Sequence, residues 1–254
     1  MIRKYKIDGG EFAINIQDKN TVLFDLDGTL LRVDFEEFLK KYFKALTAEF
    51  HDLLRDSDKF IKILMKSTEE MIKNDGRRTN QEVFMDSFFS LLDVENTELV
   101  SCRIEHFYKN KFSLLGEGFN ENKDAIKIIK KLKKAGYKLA ITTNPLFPKT
   151  AILERIKWVG LKAKDFELIT SYENMHYAKP NLKYYQEVMN KMKVKADQCI
   201  MVGNDLQEDM IVGQLGVKTF LIDDYLIDRK DGSSIKVDWR GSLKEFRDII
   251  ERIE

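Results

Sequence analysis

The sequence predicts an α/β fold, a doubly wound parallel sheet interrupted after its first strand by an all-helical insertion. Three observations predict it. From residue 123 onward, short apolar runs alternate with amphipathic stretches of helical periodicity. Before that point, helical periodicity continues for about 80 residues without a strand signal. Polar clusters follow directly after several predicted strands, where open parallel sheets bind their ligands.

The first elements precede the insertion. Residues 5–7 and 12–16 are predicted to form a small hairpin around Asp8-Gly9-Gly10. Thr21–Phe24 is a short, mostly apolar run that ends at Asp25, which predicts a buried strand.

The insertion begins with a long amphipathic helix. Apolar residues from Phe35 to position 54 recur at steps of three and four, and helical patterns follow over 60–72, 81–92 and 99–112. We expect a helical domain over 31–115 and an α/β core over 1–30 and 116–254. Gly116 and Gly118 mark the return of the chain and suggest a hinge.

The remaining chain alternates between helices and strands. Helices are predicted over 123–134, 149–158, 182–192, 208–215 and 242–253, and strands over 138–142, 166–170, 199–202 and 217–222. Gly136 and Gly216 are expected to end two of these helices. Ser242 and Glu245 have the spacing of a capping box at the start of the last one.

Composition excludes several classes of protein. The 254 residues include 43 Lys and Arg against 42 Asp and Glu, a net charge of +1 that argues against nucleic acid as a partner. No apolar run reaches about 18 residues, so no membrane span is expected. The N-terminus lacks the apolar segment of a secretory signal, and two distant cysteines favour a reducing cytoplasm. We expect a cytoplasmic monomer or homodimer.

Four polar clusters carry the chemistry: 25–30, 141–144, 178–181 and 202–210. They supply carboxylates, a hydroxyl and a lysine at one edge of the predicted sheet. A carboxylate can attack phosphorus, and a second acid can protonate the leaving oxygen and later activate water. A divalent cation held by oxygen ligands offsets the repulsion between carboxylate and phosphate, and hydroxyl, N–H and lysine groups bind phosphoryl oxygens.

These clusters resemble the four motifs of the haloacid dehalogenase-like (HAD) hydrolase superfamily. Asp25-Leu26-Asp27-Gly28-Thr29-Leu30 is similar to the first motif, Thr143 to the second, Lys179 to the third and the segment 203–209 to the fourth. The resemblance covers the whole core. It implies a Rossmann-like fold, an enzyme that transfers phosphoryl groups, and Mg²⁺ as the cofactor.

The resemblance also implies residue roles. Asp25 corresponds to the nucleophile and a metal ligand, and Asp27 to the general acid/base, with its backbone carbonyl on the metal. Thr143 and the N–H of Asn144 correspond to phosphate-binding groups, and Lys179 pairs with both phosphate and Asp25. By the same resemblance, Gly28 and Thr29 belong to the phosphate-binding loop.

The fourth motif departs from the family pattern. Many relatives have Asp directly after the motif's glycine, where this chain has Asn204. Either Asn204 binds the metal through its amide oxygen or Asp205, one residue later, takes over. We favour Asp205, with Asp209 as a further candidate ligand.

The insertion resembles the family's helical cap, which closes over the site and selects the substrate. Five basic residues within it are candidate phosphate or sugar contacts: Arg32, Lys40, Lys41, Arg77 and Arg78.

The hypothesis that follows is a magnesium-dependent phosphatase that hydrolyses a small-molecule phosphate monoester through an aspartyl-phosphate. A phosphomutase with the same chemistry is the alternative, and a non-catalytic phospho-acceptor or binding protein is the alternative from a different class. Asp27 argues against a phospho-acceptor domain and against a dehalogenase, because both lack this second acid.

Overall fold

The computed structural model describes residues 4–7, 10–13, 19–52, 56–92, 96–231 and 234–252. Six strands form the main sheet: β3 (Thr21–Phe24), β4 (Lys138–Ile141), β5 (Leu168–Ile169), β6 (Cys199–Gly203), β7 (Lys218–Ile222) and β8 (Trp239–Gly241). All neighbours pair in parallel, in the order β5-β4-β3-β6-β7-β8. The doubly wound parallel sheet predicted from the sequence is confirmed.

The central strand β3 is buried on both faces. Val22 and Phe24 belong to one hydrophobic cluster and Leu23 to another, because successive side chains point to opposite faces of a strand. The helices α5 (Lys123–Lys134), α6 (Lys149–Val159) and α8 (Leu243–Glu251) contribute to the first cluster, and α7 (Leu182–Met192) to the second. Helices therefore cover both faces of the sheet.

Helix ends follow the capping rules closely. The capping box predicted for Ser242 and Glu245 is present at the start of α8. Asn122 caps α5, and its side-chain amide also donates to the backbone carbonyl of Leu30 at 2.8 Å. This bond ties the start of α5 to the loop that follows β3.

The helical insertion lies between β3 and α5. It contains α1 (Phe35–Glu49), α2 (Ser57–Ile72), α3 (Asn80–Leu91) and α4 (Thr97–His106), then a π-helical turn (Phe107–Lys111) and a 3₁₀ turn (Phe112–Gly116). The first helix ends at Glu49, earlier than the apolar pattern predicts, and positions 53 and 54 lie outside the described residues.

Aromatic side chains join the insertion to the core. The ring of Phe38 lies 6.4 Å from Phe147 and 6.2 Å from Trp158, and Phe112 stacks on Trp158 at 5.6 Å. A Cβ on Gly116 would lie 2.3 Å from Nε1 of Trp158, so this glycine allows the indole to approach the backbone. The insertion and the core therefore share one apolar cluster.

Several boundaries differ from the sequence predictions. The N-terminal hairpin has strands β1 (Lys4–Ile7) and β2 (Gly10–Ala13), paired antiparallel, while positions 8, 9 and 14–16 lie outside the described residues. The helix predicted over 208–215 is a 3₁₀ helix over Met210–Leu215. Strand β8 was not predicted, because three residues are too short to establish a period.

Among the described residues, no helix combines the length and apolar character needed to cross a membrane. Cys102 and Cys199 are both free cysteines.

Candidate active site

The carboxyl ends of β3, β4 and β6 lie side by side, since Phe24 pairs with both Ile141 and Val202. The loops that follow these strands line a polar pocket of about 140 Å³ at that edge. The pocket contains most of the predicted site residues: Asp25, Asp27, Thr143, Asn144, Asn204, Asp205 and Asp209. Lys179, Thr29 and Gly28 lie directly behind them.

Asp25 is held by two side chains. Lys179 donates from Nζ to Oδ1 of Asp25 at 2.9 Å, and Thr29 donates from Oγ1 to Oδ2 at 3.2 Å. The backbone N–H of Asp25 donates to the carbonyl of Val202 at 2.9 Å, which extends the pairing of β3 and β6 by one residue. The carboxylate is therefore fixed at the rim of the sheet.

Lys179 is a buried cation between two carboxylates. Its ammonium contacts both Asp25 and Asp209, and its side chain is almost fully enclosed. Burial acts to lower the pKa of Lys179, but the charges of Asp209 and Asp25 outweigh it and raise that pKa well above its ordinary value. Lys179 therefore stays charged. Burial also raises the pKa of Asp209, and the charge of Lys179 opposes this.

Two glycines make the close approaches possible. Gly28 has φ of +79°, and a Cβ there would lie 2.3 Å from Nδ2 of Asn204. A Cβ on Gly203 would lie 2.2 Å from Oδ2 of Asp209. Asp209 uses that space to accept a hydrogen bond from the backbone N–H of Asp205 at 3.1 Å.

Asp27 forms an ion pair that the sequence analysis missed. Nη1 of Arg155, on α6, donates to Oδ2 of Asp27, and the guanidinium lies 4.6 Å from the ring centre of Phe147. Arg155 is 1% exposed. Oδ1 of Asp27 and Nε and Nη2 of Arg155 have no partner within the described part of the chain.

Burial and the ion pair act in opposite directions on the pKa of Asp27. Burial raises the pKa of its carboxyl to about 6, and the charge of Arg155 limits this rise. A sequence signal existed. The buried face of α6 comprises Ala151, Ile152, Arg155, Ile156 and Val159, so that an arginine occupies a position of the apolar stripe.

Asn204 and Asp205 have different surroundings. Oδ1 of Asn204 accepts from Oγ1 of Thr29 at 3.0 Å, so the amide oxygen lies beside Asp25. Oδ1 of Asp205 accepts from the backbone N–H groups of Gln207 and Glu208 at 3.0 and 2.8 Å and from Nη1 of Arg229 at 2.7 Å. Asp205 is therefore turned toward its own loop.

Thr143 and Asn144 lie at the end of β4. The carbonyl of Thr143 accepts from Oγ1 of Thr170 at 2.8 Å and from the hydroxyl of Tyr184 at 2.9 Å. The side chain of Asn144 accepts from the backbone N–H of Lys179 at 3.2 Å and donates to Glu208 at 3.0 Å. These bonds connect the three loops.

Two further charged residues of the pocket were not predicted. Glu208 and Arg229 line it and are paired with each other at 3.1 Å. Burial raises the pKa of Glu208, with a further rise from the charge of Asp205. Arg229 lies in the loop between β7 and β8, where the sequence has no helix or strand pattern from which its position could be predicted.

The five basic candidates of the insertion do not line this pocket. Arg32 pairs with Asp124 at 3.1 Å, and Arg78 pairs with Asp86. Arg77 pairs with Asp75, and Lys40 and Lys41 are exposed.

Within the described residues, no three or more His, Cys, Asp and Glu side chains are grouped to hold a metal ion. The candidate donors are instead the carboxylates of Asp25 and Asp209, the amide oxygen of Asn204 and the backbone carbonyl of Asp27.

Comparisons with known proteins identify the family. Residues 22–222 match the family described as haloacid dehalogenase-like hydrolase. A pyrophosphatase PpaX from Halalkalibacterium halodurans is 26% identical over 204 residues, 80% of this chain and 83% of that protein. A glyceraldehyde 3-phosphate phosphatase from Methanothermobacter thermautotrophicus is 27% identical over 235 residues, 89% of this chain and 98% of that protein.

A crystal structure of a HAD phosphatase from Thermococcus onnurineus has the same fold. It superimposes with a TM-score of 0.55 at 20% identity and covers 91% of this chain and 97% of its own. The family match extends from β3 to the end of β7 and includes the loops after β3, β4 and β6 that line the polar pocket. The chain therefore belongs to the haloacid dehalogenase-like hydrolase family.

Proposed function

We propose that the chain is a magnesium-dependent phosphatase that hydrolyses a phosphate monoester through an aspartyl-phosphate on Asp25. One observation carries the proposal: Asp25 is fixed by Lys179 and Thr29 in the same pocket as a second carboxyl, Asp27, whose pKa is raised to about 6. The named curated relatives, a pyrophosphatase and a sugar-phosphate phosphatase, support phosphate substrates.

The first half-reaction is nucleophilic displacement at phosphorus. The carboxylate of Asp25 attacks phosphorus, the ester P–O bond breaks and the phosphoryl group stays on Asp25. Lys179 offsets the charge of Asp25 beforehand, and with Thr143 and the N–H of Asn144 it stabilises the phosphoryl oxygens as charge develops.

Asp27 moves the proton in both halves. Its carboxyl protonates the leaving alkoxide in the first half and accepts a proton from the attacking water in the second. A pKa of about 6 lies near neutral pH, where a group exchanges protons most effectively in both directions. Arg155 is the positioning residue, because its hydrogen bond to Oδ2 leaves Oδ1 as the oxygen without a partner.

The donors near Asp25 fit a hard cation. Oxygens of Asp25 and Asn204 both contact the hydroxyl of Thr29, and no nitrogen or sulfur ligand is among the candidate donors. Such an oxygen set suits Mg²⁺, which supplies charge neutralisation and orients phosphate oxygens when bound. We propose Asp25, the backbone carbonyl of Asp27, and Asn204 as ligands. Asp205 is less suited, because its Oδ1 already accepts three hydrogen bonds, and Asp209 stays a candidate beside Lys179.

We further propose that the insertion, 31–115, acts as a cap on a core formed by 1–30 and 116–254. Phe35 of α1 lines the polar pocket, so the insertion closes one side of it. The cytoplasmic location predicted from the sequence stays a prediction.

The test is phosphate release from p-nitrophenyl phosphate and a panel of monoesters, with Mg²⁺ or with EDTA. We expect turnover that requires Mg²⁺ and that disappears in Asp25→Ala. Release of phosphate at the wild-type rate by Asp25→Ala would contradict the proposal.

A further inference from the structure

An apolar cavity of about 250 Å³ lies between the insertion and the core. Helices α1, α2 and α3 form most of its wall, and Leu146, Phe147 and Pro148 of the core close it on the other side. The roles proposed for the polar pocket do not use this space.

The wall offers few groups that would recognise a polar ligand, and they are hydroxyls that already take part in hydrogen bonds. None of its residues carries a charge. The hydroxyls of Tyr42 and Tyr108 bond to each other at 2.7 Å, and Thr68 donates to the carbonyl of Leu64 at 2.9 Å. Tyr172 is hydrogen-bonded to Gln81. A sugar or nucleoside would lose its bonds to water here and gain few replacements.

The cavity adjoins the candidate active site. Phe35, Leu146 and Phe147 line both the cavity and the polar pocket that contains Asp25. A molecule with its phosphoryl group at Asp25 would lie partly against the charged wall of the polar pocket and partly against the apolar wall of the cavity.

The cavity also opens to solvent beside Met65 and Ile72 of α2. These two apolar side chains line it and are 46% and 39% exposed. A ligand longer than the cavity would therefore have an exit along α2.

We propose that this cavity binds the alcohol portion of the substrate, and that the substrate is the phosphate monoester of an apolar alcohol. The proposal rests on the proposed phosphatase function and names its substrate class. A cavity of 150 Å³ accommodates benzene, so 250 Å³ corresponds to about ten carbon atoms, as a fused ring or a chain.

The first test is a series of n-alkyl phosphates from ethyl to octyl, assayed for phosphate release with Mg²⁺. Their leaving alcohols have nearly the same basicity, so chemical reactivity stays constant and only apolar contact changes. Each methylene that enters the cavity is expected to raise kcat/KM about 4-fold, until the cavity is filled. Propyl phosphate should exceed glycerol phosphate, which has the same carbon count and two hydroxyls more. The same kcat/KM for all the alkyl phosphates, or a preference for glycerol phosphate or a sugar phosphate, would overturn the proposal.

Variants of the wall provide the second test. Leu39 lines the cavity and is partly exposed, so Leu39→Asp places a charge there and Leu39→Trp fills the space. Both should abolish the increase in kcat/KM with chain length. Lys44→Asp, on the exposed side of the same helix, is the matched control and should keep the full gain. Circular dichroism verifies that each variant is folded, and Leu39→Trp serves if Leu39→Asp does not fold. An unchanged chain-length gain in Leu39→Trp would contradict the proposal.

Binding to Asp25→Ala separates this inference from the phosphatase proposal, because it needs no turnover. In calorimetry, octyl phosphate should bind this variant at least 10-fold more tightly than ethyl phosphate, and Leu39→Trp should remove the difference. Equal affinity for the two esters would overturn the substrate class. Absence of phosphate release from every ester, with octyl phosphate still bound preferentially, would overturn only the phosphatase activity.

Discussion

Replacing Arg155 with Met should destabilise the protein more at high pH than at low pH, because Asp27 loses its buried counter-ion. Methionine keeps much of the apolar stem between Phe38 and Phe147 but removes the charge. In the wild type, burial raises the pKa of Asp27 to about 6 and Arg155 limits the rise. Without Arg155, that pKa must rise further.

The direction follows from proton linkage. The ordinary pKa of Asp27 is 3.8, so between about pH 4 and 6 the folded wild type holds a proton that the unfolded chain has released. The free energy of unfolding therefore decreases through that window as pH rises and then levels off. In Arg155→Met the decrease continues above pH 6 by about 1.4 kcal/mol per pH unit, up to the variant's own pKa.

Between pH 6 and pH 8, Arg155→Met therefore loses at most about 2.7 kcal/mol more of its free energy of unfolding than the wild type does. Adding the lost hydrogen bond and ring contacts gives about 3–5 kcal/mol at pH 8, the size typical of a broken buried ion pair. At pH 5, Asp27 is largely protonated in both proteins. The wild type and Arg155→Met should then differ by only about 1–2 kcal/mol in their free energy of unfolding.

The assay is urea unfolding followed by circular dichroism at pH 5, 6.5 and 8, with EDTA present so that no metal adds charge to the site. Lys157→Met is the matched control: Lys157 is exposed on the same helix, and its pair with Glu154 should contribute less than about 1 kcal/mol. In an Asp27→Asn background, the effect of Arg155→Met on the free energy of unfolding should no longer depend on pH. Two results would contradict this expectation. One is an equal loss of unfolding free energy at pH 5 and pH 8 in Arg155→Met. The other is a loss that is the same with and without Asp27→Asn.

Three more predictions follow from the site. Asp27→Asn should still release a burst of one nitrophenol per enzyme from p-nitrophenyl phosphate in rapid-quench kinetics, while steady turnover falls by about 10²–10⁴. Loss of the burst with weakened Mg²⁺ binding would make the carboxylate of Asp27 a metal ligand rather than the acid/base. EDTA should abolish turnover and Mg²⁺ should restore it better than Zn²⁺, because the donors are oxygens; activity that persists after dialysis against EDTA would contradict this. The insertion should close on its two joints, Leu31 with Arg32 and the segment 116–118, when a phosphate analogue binds, and identical solution scattering with and without the analogue would count against closure.

The alternation of strands and helices was predictable because each element carries its own period. The four residues of β3 are all buried, and α5 buries one apolar face. In both elements the spacing of apolar residues therefore matches the spacing of buried positions. The short strand β8 and the 3₁₀ helix over Met210–Leu215 were missed or mistaken, because three to six residues are too few to distinguish one period from another.

The polar pocket was predictable to the extent that its residues follow strands. Asp25, Thr143 and Asn204 come directly or almost directly after β3, β4 and β6, and parallel strands bring those positions together. Arg155 was not found, because it lies on a helix, 128 residues from Asp27 along the chain. Nor could sequence separate Asn204 from Asp205, since the difference lies in hydrogen bonds from Thr29 and Arg229.

The identity of the phosphorylated residue decides whether Asp25 is the nucleophile. Asp27→Asn protein, mixed with p-nitrophenyl phosphate and Mg²⁺ and quenched in acid, is reduced with borohydride, which converts an aspartyl-phosphate to homoserine. Peptide mass spectrometry then locates the reduced residue. If Asp25 is the nucleophile, homoserine appears at position 25 and at no other aspartate. Unmodified Asp25 in protein that has released its burst of nitrophenol, or homoserine at another position, would contradict it.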